Sequence, residues 1–146
     1  MDILREMGTD SKKAVEGIWI VLEDSGDHEV PEDEIGDRPA VKIARADNIH
    51  YQKALRKRLA PLVARGRRIG LDPEAQAKAE AESLHGTVLL DWRNLVAGNA
   101  PFDFSRANVV KVWTDIAYVV FKDRLAGLIQ DAELFRLELQ EEREKN

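Results

Sequence analysis

Gly86-Thr87-Val88-Leu89-Leu90-Asp91-Trp92 is the most telling run of this chain, because the neighbouring elements are placed by how it is read. Leu84, Val88, Trp92, Leu95 and Val96 recur at three- and four-residue steps, the spacing of one apolar helix face. Upstream, Asp72-Pro73-Glu74 offers a capping acid, a proline at the first helical position and an acid at the positive end of the helix dipole. Ala75–Ala81 has high helix propensity and little to bury. Gly98-Asn99 with Pro101 is a stop signal. The pattern predicts one helix running on from Pro73 to Val96. Gly86 inside it costs about 1 kcal/mol against alanine and suits a close helix crossing.

Downstream, Phe104-Ser105 reads as a further helix start with Ser105 as N-cap, and Val109, Val112, Trp113 and Ile116 as the apolar face. A last helix is expected from Val119 to Glu142, with Phe121, Leu125, Leu128, Ile129, Ala132 and Phe135 as its stripe. Upstream, Asn48–Arg65 places Leu55, Leu59, Leu62 and Val63 on one face with Tyr51 beside them. Pro61 is its weak point, since an interior proline removes a hydrogen bond. Earlier still, Gly17–Leu22 is β-branched and aromatic, and Ala40–Ala44 alternates apolar and polar. The acidic stretch between them, with Gly26, Pro31, Gly36 and Pro39, reads as a loop. These two strands make an antiparallel hairpin that must rest one face on the helices, with Trp19 as its anchor.

The expectation is therefore an α+β fold, mostly α-helical with about four helices and an N-terminal antiparallel β-hairpin. One domain would cover residues 1–146: an N-terminal arm at 1–15, the hairpin with its acidic loop at 16–45, and a helical part at 47–142. Cysteine is absent, which excludes disulfides and thiolate metal sites. No apolar run approaches the ~20 residues of a membrane helix, and the N-terminus lacks the pattern of a secretion signal. A soluble cytoplasmic protein is the reading that follows. Net charge is −5 but uneven. Residues 1–38 hold twelve acids against four bases, whereas residues 42–68 hold nine bases against Asp47 alone. Such asymmetry fits either a nucleic-acid or acidic-partner surface or packing of one segment beside the other.

Catalytic chemistry finds little footing. The histidines are His28, His50 and His85. His28 lies among acids, but the ordered spacing of a calcium loop is missing, and a solvated loop outweighs a metal site. His50 and His85 are isolated on helices. Phosphate loops, nucleophile elbows and zinc-protease motifs do not occur. The expectation is no enzyme, no cofactor and no metal. The basic segment Lys53–Arg68 is the best nucleic-acid signal, set against a solvated face with no stacking aromatics beyond Tyr51. The large aromatics read mainly as core.

Taken in order, Gly17-Ile-Trp-Ile20, Val41-Lys-Ile-Ala-Arg45, Asn48-Ile-His-Tyr51, Arg58-Leu-Ala-Pro61, Val88-Leu-Leu-Asp-Trp92, Phe102-Asp-Phe-Ser105 and Asp131-Ala-Glu-Leu-Phe135 resemble the phage tail assembly chaperones of long-tailed phages and prophages. The likeness spans residues 16–146, with Trp19, Tyr51, Asp91, Trp92, Phe104 and Ser105 as its diagnostic positions. One departure is visible: Trp113–Phe121 carries no break where two helices of the family would part. The resemblance implies a non-catalytic protein that binds the tape-measure protein, keeps its apolar helices soluble, helps recruit tail-tube subunits and is absent from the finished virion. It also implies that some members have a longer, frameshifted form. The partner-binding face expected here is the last helix, through Leu128, Ala132, Phe135, Arg136 and Leu139, with the acidic loop as a second candidate. The alternatives are a nucleic-acid-associated or regulatory module using residues 53–68, or a structural head–tail joining protein.

Overall fold

The computed structural model describes residues 1–69 and 72–138, with residues 66–69 through the backbone alone. In chain order the elements are α1 (Ile3–Met7), α2 (Ser11–Glu16), β1 (Ile18–Val21), β2 (His28–Glu29), β3 (Ala40–Ile43), α3 (Ile49–Ile69) and α4 (Pro73–Leu84). There follow β4 (Leu89–Arg93), β5 (Val96–Ala97), β6 (Ala100–Pro101), α5 (Arg106–Thr114) and α6 (Val119–Ile129). The α+β class expected from the sequence is the one observed.

β1 and β3 pair antiparallel, with Ile18 opposite Ile43 and Val21 opposite Ala40. They do not form a bare hairpin. β2, from the acidic loop, adds to the outer edge of β1, and β4 pairs antiparallel with β3 on the other side, giving the order β2-β1-β3-β4. The two faces of the sheet differ. Ile18, Ile20, Val41 and Ile43 face the main core with α4, α5 and α6 residues. Trp19, Val21 and Ala40 on the opposite face are covered by Val30 and Ile35. The acidic loop thus folds back to close a small second core, and its apolar residues explain why all of β1 is buried. The Arg93 guanidinium lies 4.5 Å from the Trp19 ring centroid, where a cation meets the negative face of the indole.

The long helix predicted through Gly86 does not exist. α4 stops at Leu84 with His85 at its C-terminal cap, and Gly86 adopts φ +85°, a left-handed turn that suits a residue without a side chain. The chain then enters the sheet, with Trp92 opposite Val41. The misreading has a physical cause. A spacing of four residues is about one turn of helix, but also two full steps of a strand. Leu84, Val88 and Trp92 all point to the core, from a helix end, a turn and a strand respectively. Thr87-Val88, β-branched and directly after a glycine, is the local signal for the change.

Two further boundaries differ from expectation. α5 begins at the Ser105 cap as expected, its side chain accepting from the Asn108 N–H at 3.1 Å. The apolar run Trp113–Phe121 is broken after Thr114, because the Asp115 carboxylate accepts from the Ala117 N–H at 2.9 Å and starts a single 3₁₀ turn over Ile116–Tyr118. The last helix ends at Ile129 rather than at Glu142. The Asp131 carboxylate accepts from the Glu133 N–H at 3.0 Å and opens another 3₁₀ turn, Ala132–Phe135, which turns Phe135 into the core. The first residues meet the end of the described chain: Asp10 N–H donates to the Phe135 carbonyl at 2.7 Å, and Leu137 N–H to Gly8 at 2.9 Å. Residues 1–15, expected as an arm, hold α1 and all of α2 but its last residue, each helix capped by an aspartate.

Candidate partner-binding face

α3 is the longest element, and its start is well anchored. Asn48 is buried and bonds three ways. Its amide nitrogen donates to the Arg45 carbonyl at 2.8 Å and the Thr87 carbonyl at 2.9 Å, while its oxygen accepts from the Tyr51 N–H at 3.1 Å. One side chain thus caps the helix and ties it to the turn before β4. Tyr51 packs on the edge of the main core. Burial raises the pKa of its hydroxyl, with Glu80 adding to the effect. α3 lies against α4, where Arg58 pairs with Glu82 at 3.7 Å. Pro61 sits on the exposed side, so water can serve the carbonyl it leaves free.

From residue 49 to residue 65, no residue of α3 is buried. The stripe read from the sequence is present but only partly covered: Leu55, Leu59 and Leu62 are half-buried and Val63 is exposed. Leu55, Leu59, Ala60, Val63 and Ala64, with Gln52 and Arg56, line an open groove of about 590 Å³. Their spacing is that of a single helix face, and Val63 is 45% exposed. At the cap end Gln52 also borders a polar hollow of about 500 Å³ with Arg45, Ala46, Asp47, Tyr51 and Gln130. A second, smaller apolar hollow of about 170 Å³ lies between the β5–β6 ribbon and the start of α6, lined by Leu95, Val96, Ala97, Phe102, Tyr118 and Phe121.

The charge asymmetry is resolved by the pairing. Among the described residues no acid of residues 1–38 pairs with a base of α3. Glu23 pairs with Arg38 at 3.1 Å, Glu29 with Lys13 at 3.3 Å and Glu32 with Arg93 at 3.0 Å. Asp27 is held by Arg124 through a two-pronged contact whose Nε–Oδ2 arm is 2.8 Å. That guanidinium holds the Asp27 carboxyl below its ordinary pKa. On α3, Lys53, Arg56 and Lys57 are exposed and make no ion pair among the described residues.

The face expected on the last helix is dismantled by the fold. Leu128 and Phe135 are buried in the main core, Phe135 at 0% exposure. Ala132 and Arg136 are exposed, and Leu139 lies outside the described residues. Among the diagnostic positions, Trp92 is central. It stacks on Phe102, meets Phe104 and Phe121 edge-on, and donates its indole N–H to the Phe102 carbonyl at 2.7 Å. Trp19 anchors the second core instead. Asp91 accepts from the Trp92 backbone N–H at 2.8 Å. His85 stacks on Phe104, and burial lowers its pKa, with Arg106 contributing. His28 is exposed beside the Gly26 carbonyl, and no group of three potential metal ligands occurs among the described residues. Among those residues, too, no helix is long and apolar enough to cross a membrane.

A family model, the YdaY prophage protein, matches residues 46–146. The chain belongs to that prophage family. The match opens two residues before the Asn48 cap, so the YdaY region takes in α3, its tether and the whole of the chain that follows. Neither a curated protein nor a solved structure matches the chain. The prophage setting agrees with the origin expected from the sequence.

Proposed function

We propose that this prophage protein is a non-catalytic tail assembly chaperone, which binds the tape-measure protein in the host cytoplasm and helps bring tail-tube subunits to it. The observation that carries the reading is α3: a 21-residue amphipathic helix, anchored at its start, whose apolar groove no other described element covers. Apolar helices of an unassembled client need temporary burial against a surface that is itself soluble, and a groove flanked by charge provides it. The client face is therefore α3, in place of the last helix.

The test is coexpression with the cognate tape-measure protein. The expected result is a soluble complex, absent from mature particles. A tape-measure protein that stays insoluble beside it, or this chain recovered from finished virions, overturns the reading. Lys53, Arg56 and Lys57, exposed and without an ion pair among the described residues, favour one second reading, binding to nucleic acid. That reading requires affinity that falls steeply with salt and with Arg56→Ala and Lys57→Ala.

A further inference from the structure

We infer that the α3 groove takes one amphipathic helix whose apolar stripe is flanked by acidic residues; the inference rests on α3 being the client face and names the client segment's chemistry. Three observations select this occupant. The first is the shape of the lining. Leu55, Leu59 and Val63 stand along the groove with the small Ala60 and Ala64 beside them, so ridges alternate with recesses at helical spacing. Such a surface receives the side chains of another helix, one row between two. The second is the rim. Arg56 lies within the lining, and Lys53 and Lys57 stand on the far side of Ala60 and Ala64 by helical position, all three exposed and without ion pairs among the described residues. Acids along the flank of the incoming stripe on that side would meet them, and that complementarity sets orientation and partner choice. The third is the polar hollow at the cap end, where Arg45 and Gln130 can take a polar group of a helix that continues past Gln52.

Other occupants fit less well. A second α3 would set Lys53, Arg56 and Lys57 against their own copies, which like charge disfavours. Nucleic acid would leave the leucine and valine stripe uncovered, and no aromatic lines the groove for stacking. A lipid surface would draw on a broad bulky apolar face, whereas two of the five apolar residues here are alanines. The last residues of the chain, 139–146, bring only Leu139 as an apolar side chain and cannot supply a stripe.

The probe is a labelled 21-residue helical peptide with leucines at i, i+3, i+4 and i+7 spacing and glutamates on both flanks, titrated against the full chain. A twin peptide carries lysines in place of the glutamates. The glutamate peptide is expected to bind at least tenfold more tightly than the lysine peptide. Its affinity should fall at least tenfold with Val63→Glu. The triple change Lys53→Glu, Arg56→Glu and Lys57→Glu should reverse the preference. Circular dichroism of each variant should match the parent, since all four positions are exposed. Equal binding of the two peptides, or no binding of either, overturns the inference. So does binding indifferent to Val63→Glu, or a dimer of this chain that Val63→Glu dissociates. Tighter binding to duplex DNA or to phosphatidylglycerol vesicles, lost with the same variants, also overturns it. Tape-measure binding without a preference between the peptides would leave the chaperone reading standing and remove this one. Peptide preference without tape-measure binding would do the reverse.

Discussion

α5 and α3 carry the same kind of apolar stripe and meet opposite fates. α5 has nine residues and buries Val109, Val112 and Trp113 in the main core. α3 has 21 residues, and those from 49 to 65 remain exposed or half-buried, although Leu55, Leu59, Leu62 and Val63 follow the same spacing. Periodicity therefore says which side chains share a face, not whether the molecule has anything to put against it. The sheet, α4, α5, α6 and the aromatic cluster around Trp92 make the core, to which α3 adds only Tyr51 at the edge, so α3 has one flank on α4 and another that no described element covers. That surplus face is what makes α3 a candidate for binding and α5 a structural element.

Two truncations put the contrast at its widest. Phe135→Ala should cost about 3–5 kcal/mol in urea denaturation, because it empties a fully buried site. Val63→Ala in α3 should stay within about 0.5 kcal/mol. Similar losses at the two positions would mean that α3 is packed as firmly as the core. A smaller effect comes from Trp92→Phe, which removes the donor to the Phe102 carbonyl and should cost about 1–3 kcal/mol beyond any packing loss. Near-UV circular dichroism and the urea midpoint would report it; a neutral variant would show that this bond does not hold the aromatic cluster together.

Asn48→Ala is aimed at the tether of α3. The lost cap should cost about 1–2 kcal/mol and should speed amide exchange in the first turn of α3 while leaving β1 and β3 protected. Exchange that rises equally in the sheet would show that α3 and the core unfold as one. The smallest effect is electrostatic. Asp27 has a folded pKa below its ordinary value, so its pairing with Arg124 stabilises the fold fully above the unfolded carboxylate pKa. That contribution is lost as pH falls through the lowered folded value. The stability gap between the parent and Asp27→Asn should therefore be constant near neutrality and shrink in strong acid. A gap that grows on acidification would reverse the assignment.

Particular residues show where sequence reading succeeded. Ser105, Asp72-Pro73, the β-branched run at β1 and the alternation at β3 are local signals, each decided within a few residues, and each places its cap or strand as read. Asp115 and Asp131 carry the same kind of signal, and attention to aspartate as a cap would have placed both breaks. The stretch after Gly86 is harder, because Val88 and Trp92 are four apart and satisfy helix and strand alike until the β3 edge is there to pair with β4.

From its own residues the chain determined that its fold mixes helix and strand, where several caps fall, and that Leu55, Leu59 and Val63 share one face of a helix. Local hydrogen bonding and side-chain spacing suffice for these. Only the tertiary structure decided that β4 joins the sheet, that Phe135 lies in the core, that the acidic loop finds its cations in Lys13, Arg38, Arg93 and Arg124, and that α3 keeps both its apolar groove and the exposed bases Lys53, Arg56 and Lys57. Those outcomes depend on contacts between residues far apart in sequence, and burial is a property of what is packed alongside rather than of the stripe itself.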